Sequence, residues 1–180
     1  MHWKKEFELL EASSQWNGII DLLKRTMQDY PDKPEPAIRL IYFLHDLLVE
    51  QDYSSRGFNH DTLAKMLKEL FENSTKKFNN NSEYLFFLGK IMHIAEWYFG
   101  LNNNDFAFEL QKRAMELEPQ NKLYRWAYCY STNKDKEAYS LAKLVLNDDK
   151  VALWLDSKGF PGKYVLRSIK SCVKNNNEKG

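Results

Sequence analysis

Apolar residues return every three or four positions along almost the whole chain, and the stretches that carry them are separated only by short polar breaks. Trp3, Phe7 and Leu10 share one helical face, and Ile19, Ile20, Leu23 and Met27 share the next. A side-chain period of 3.6 residues puts such positions on one stripe of an α-helix, whereas a half-buried strand needs strict alternation. No segment shows that alternation. Glycine (7) and proline (5) are scarce for 180 residues, and β-sandwiches and barrels spend both on turns. The pattern therefore predicts an all-α chain.

The breaks divide it into about ten helices. The first runs from Trp3 to Ala12. The second runs from Trp16 to about Tyr30, where Pro31 and Pro34 stop it. The third, from about Pro36 to Val49, is apolar almost all round and reads as a helix buried on several sides. Residues 52–59 form a loop, and a fourth helix begins near Asp61. Asn79, Asn80 and Asn81 make a turn, with Ser82 as the expected N-cap of a helix from Tyr84 to Phe99 that Gly100 ends. Phe106 to Leu117 is the sixth helix, closed by Pro119, and Lys122 to Tyr130 the seventh. Thr132 and Asp135 read as a capping box for Lys136 to Leu146. Asp148 and Asp149 open a short helix to Leu155. Gly159, Pro161 and Gly162 break the chain before a last helix, Lys163 to Val173. Connections this short make neighbouring helices antiparallel hairpins that stack. One domain over residues 1–174, with a disordered tail over 175–180, is the expected organisation.

Charge and cysteine usage narrow the class. Cys129 and Cys172 are far apart and suggest neither a disulfide framework nor a zinc site. The charged N-terminus has no apolar stretch of signal-peptide length, and no run reaches the ~20 apolar residues of a membrane span. A soluble, cytoplasmic protein is expected, with no membrane partner. The net charge of +1 conceals a gradient: residues 1–75 carry 9 Lys+Arg and 13 Asp+Glu, and residues 76–180 carry 17 and 12. A total so near neutral does not suit a dedicated nucleic-acid binder, although Lys163, Arg167, Lys170 and Lys174 form one basic stripe on the last helix.

Catalytic patterns are missing. The segment from Gly159 to Tyr164 is too short for a phosphate loop and follows no strand. His2, His45, His60 and His93 make no metal-ligand spacing, no serine sits in a nucleophile elbow, and Cys129 lies in an aromatic helix where a buried thiol is inert. No enzyme activity, cofactor or metal is expected.

Two segments resemble tetratricopeptide repeats, whose pattern is W-x2-L-G-x2-Y in one helix and A-x3-F with later Ala and Pro in the next. Leu88 and Gly89 match the first helix, with Leu85 and Met92 in place of its aromatic ends. Ala107, Ala114 and Pro119 match the second, with Gln111 in place of the aromatic. Lys122 to Asp149 looks like a degenerate following unit with Ala138 in the place of Ala107. The resemblance covers about residues 83–149 and implies a short α-solenoid. The segments Tyr30 to Glu35, Ile41 to Leu44, Leu47 to Tyr53 and Trp154 to Val165 are similar in layout to small bacterial helical-repeat proteins. Those act as immunity proteins against secreted polymorphic or contact-dependent toxins.

That likeness implies binding and neutralisation of a cognate toxin's C-terminal domain by surface contact. First helices of tetratricopeptide units line a concave face, so Glu96, Trp97, Tyr98, Trp126 and Tyr130 become candidate contacts; Trp and Tyr are enriched in binding hot spots. Glu50, Asp52 and Asp61 form an acidic group suited to a basic toxin. The alternative is a general adaptor holding a peptide or protein partner in the concave groove.

Overall fold

A computed structural model describes residues 2–51 and 53–177. They form α1 (His2–Ala12), α2 (Trp16–Asp29), α3 (Glu35–Val49), α4 (His60–Phe78), α5 (Ser82–Met92), a 3-10 turn (Glu96–Phe99), α6 (Asp105–Leu117), α7 (Lys122–Ser131), α8 (Asp135–Leu146), α9 (Asp149–Ser157) and α10 (Phe160–Asn177). The fold is all-α, with no strand among the described residues.

Consecutive helices pair. Glu6 faces Arg25, and Leu10 abuts Gly18, so α1 and α2 run antiparallel. In α5 and α6, Asn80 meets Arg113, Gly89 meets Ala107 and Gln111, and His93 meets Phe108. Rising numbers on one helix face falling numbers on the other, which is an antiparallel hairpin. A Cβ on Gly89 would sit 2.9 Å from the Ala107 carbonyl oxygen, so the missing side chain is what lets these two backbones touch. Helix α3 is buried on nearly every side, as its unbroken apolar run requires.

Several ends differ from the sequence reading, for local reasons. Asn81, not Ser82, caps α5: its side chain accepts from the Tyr84 amide. Ser82 instead donates to Glu118. The capping box before α8 does not form, because the Thr132 hydroxyl donates back to the Tyr128 carbonyl, and Lys134 at the cap makes no side-chain bond. Asp148 does cap α9, accepting from the Lys150 amide. Helix α10 starts at Phe160 rather than Lys163. Pro161 falls in its first turn, where a proline costs no hydrogen bond. It continues to Asn177; residues 178–180 of the expected tail lie outside the described residues.

The last helix closes the molecule. Val165, Ile169 and Cys172 are buried, with α10 packed on α3, α5, α8 and α9. Phe160 meets Phe7 and Tyr42, joining α10 to α1 and α3. A part-buried ionic knot seals this seam. Glu35 receives Lys4 at 2.6 Å, Arg39 at 2.8 Å and Lys158 at 3.4 Å, while Lys158 also reaches Glu83 at 2.7 Å. Arg39 and Lys4 both donate to the Ser157 carbonyl. In a simple solenoid each unit touches only its neighbours. Here residue 4 touches residue 157, so the two ends of the chain share one core.

Candidate functional site

Helix α5 was expected to run to Phe99, but it stops at Met92. The chain then bends through His93, Ile94 and Ala95 into the 3-10 turn Glu96–Phe99. Gly100, at φ 78°, ends the turn in the left-handed region, where its amide bonds back to Glu96 and Trp97 carbonyls. This tight turn splits its aromatics. Phe99 points inward and stacks on His45 at 5.3 Å. Trp97 points outward with 60% of its surface exposed, a large value for so apolar a ring.

Tyr98 anchors the turn. Its hydroxyl donates to the Leu48 carbonyl at 3.0 Å, two residues before Glu50. Its ring lies 6.2 Å from His60, whose Nδ1 is 3.0 Å from the Asp61 carboxylate. One side chain thus ties the end of α3, the start of α4 and the turn together. Of the sequence candidates, Glu50, Asp61, Glu96, Trp97 and Tyr98 come into one neighbourhood, with Glu50 and Asp61 exposed. Asp52 lies outside the described residues.

Trp126 and Tyr130 belong elsewhere. Trp126 has no exposed surface, and its indole N–H lies against the Cys172 thiol of α10. Both rings cover the Lys90 ammonium, at 5.0 and 4.8 Å. Burial lowers the Lys90 pKa to about 8. A groove in which Trp126 meets a ligand is therefore closed by the chain's own last helix.

A cleft the sequence reading did not find opens beside the turn. It has a volume of about 360 Å³ between α3, the bend at Ile94 and α10. Asp46 and Glu50, one helical turn apart, supply its acidic side, and Tyr42 and Tyr164 stand 6.0 Å apart as its aromatic wall. Arg167 also lines it, close to Tyr42 and Asp46. Burial, reinforced by the neighbouring Glu50 charge, raises the Asp46 carboxyl above its usual range. His45 underlies the cleft with Nε2 3.3 Å from the Ala95 carbonyl. Burial holds its pKa near 4, so it is neutral at physiological pH. The Asp46 and Glu50 spacing was visible in the sequence. Their juxtaposition with Tyr164 and Arg167 was not, because those residues of α10 arrive from 114 or more residues away.

Among the described residues no group of His, Cys, Asp and Glu is placed to hold a metal ion, and no helix is long and apolar enough to cross a membrane. No protein family, no curated protein and no solved structure matches the chain.

Proposed function

We propose that this chain is a bacterial immunity protein, working in the cytoplasm without a cofactor, that binds and neutralises the C-terminal domain of a cognate secreted toxin through surface contact. The observation that carries the reading is Trp97, 60% exposed on a turn that Tyr98 and Gly100 hold rigid. A large ring with few side-chain torsions, on a turn whose backbone is tied down, loses little conformational freedom on binding, which is how aromatic anchors come to dominate interfaces. Glu50 and Asp61 flank the same neighbourhood with exposed carboxylates. A nuclease-type toxin presents basic surface to its own substrate, and an acidic rim with an aromatic centre complements it. The tetratricopeptide-like hairpins of residues 83–149 supply the rigid support.

The adaptor reading, in which a peptide occupies a concave groove, gains nothing from Trp126, which is enclosed under α10. The test is co-expression with the toxin domain encoded by the adjacent gene. Cells survive and the two chains co-purify if the reading holds; growth arrest with no co-purified complex refutes it.

A further inference from the structure

We propose that the gap between α2 and α4, floored by α3, binds a small amphipathic carboxylate: an alkyl or aryl acid with its apolar body inside and its anionic end at the mouth. The site shares no lining residue with the cleft beside the Trp97 turn and goes beyond the toxin reading. Helix α3 packs on both α2 and α4, and above its Ala37 the two walls leave about 270 Å³ open. That space equals roughly nine waters at about 30 Å³ each, so the ligand has on the order of ten non-hydrogen atoms.

The lining selects its chemistry. Met27, Leu70 and Phe78 make the walls apolar, and Met27 and Leu70 stay only partly buried, so a ligand covers apolar surface that the fold leaves wet. Ser74 is the polar side chain within the gap, and it is already satisfied. Its hydroxyl donates to the Leu70 carbonyl at 2.6 Å and lies 2.7 Å from the Tyr84 hydroxyl. A sugar or an inorganic ion entering there would give up water and find no partner. The rim is cationic. Lys33 and Lys77 are exposed beside the exposed amide of Asn73, and the Lys77 ammonium lies 5.7 Å from the centre of the Phe78 ring. Among the described residues neither lysine is in an ion pair. The nearby carboxylates do not cancel them. Glu69 reaches Lys65 at 4.0 Å. Asp29 and Glu72 each come two residues after a lining position, Met27 and Leu70, and so fall on the far side of their helices. Asp32, on the same turn as Lys33, pairs with neither lysine, and with it counted the rim keeps one positive charge in excess. An apolar interior under such a rim suits a hydrophobic acid and disfavours an amine.

The experiment uses the full chain, labelled with nitrogen-15, and four probes: 4-phenylbutyrate, its neutral amide, inorganic phosphate, and the peptide N-acetyl-Gly-Gly-Leu with a free C-terminus. The acid is expected to saturate in the low millimolar range, with amide shifts centred on residues 27–37 and 70–78. The neutral amide is expected to bind about fivefold to tenfold more weakly, and phosphate not to saturate. The double variant Lys33→Gln, Lys77→Gln alters only exposed side chains and brings acid and amide to equal affinity, while Lys76→Gln, outside the gap, leaves the difference intact. Acid and amide binding within about twofold of each other, no saturation by roughly 50 mM, shifts centred elsewhere, saturation by phosphate, or a double variant that still discriminates overturns the assignment. Peptide binding at least about tenfold tighter than the acid also overturns it, in favour of a protein C-terminus as the occupant.

Discussion

Replacing Glu35 by Gln removes the one carboxylate on which three cations converge. Burial works against the charge of Glu35, but the hydrogen bond from Lys4 and the charges of Lys158 and Arg39 outweigh it and hold the carboxyl below its usual range. Breaking a buried ion pair from one side costs about 3–5 kcal/mol, because the partners stay buried without compensation. Three contacts survive here: Lys158 keeps Glu83, and Arg39 and Lys4 keep the Ser157 carbonyl. The lower end, about 3 kcal/mol, is therefore expected. For a chain of this size that is a fall in Tm of roughly 10 °C. The pH dependence is a second readout. A depressed carboxyl pKa stabilises the fold above the unfolded-state value near 4.5 and ceases to do so as pH falls through the lower folded value. Wild type and Glu35→Gln should thus differ fully at pH 7 and converge in acid, where Glu35 is protonated. Thermal and urea unfolding followed by circular dichroism measures both. Equal stability at pH 7, or a gap that persists undiminished in acid, would refute the claim that this knot joins the two ends of the chain.

Other substitutions probe other parts of the account. Gly162→Ala places a Cβ 1.8 Å from the Leu155 carbonyl oxygen, so the first turn of α10 has to move; a loss of at least about 2 kcal/mol in urea unfolding is expected. Lys90→Met keeps the volume and removes a buried ammonium, so it raises stability at pH 7 by up to about 3 kcal/mol. The gain should shrink between pH 8 and pH 10.5, where the unfolded-state lysine also loses its proton, and calorimetry across that range shows it. His45→Phe retains an aromatic ring beside Phe99 and should lessen the stability lost as pH falls from 6.5 toward 4, the window in which the imidazole is protonated in the unfolded chain but still neutral in the fold.

Helix existence was legible because periodicity is local, and the all-α class follows from it. The ends were less so. Nothing from Lys90 to Phe99 is glycine or proline, yet α5 stops at Met92. The break comes from tertiary bonds, His45 to the Ala95 carbonyl and Tyr98 to the Leu48 carbonyl, which spacing does not encode. Asn81 and Ser82 were both competent caps, and backbone geometry chose between them. The aromatic candidates separate for the same reason. Trp97 and Trp126 look alike in sequence, but one sits on an exposed turn and the other under α10. The Glu35 knot draws on residues 4, 35, 39, 83 and 158, a set that only the folded chain brings together.

The most direct test of the proposed role is the affinity of Trp97→Ala for the toxin domain encoded next door, measured by isothermal calorimetry beside wild type. Trp97 is mostly exposed, so its truncation should leave Tm nearly unchanged while weakening the complex by at least about 2 kcal/mol, some thirtyfold in Kd. A toxin complex of unchanged affinity would contradict the placing of the interface at this turn.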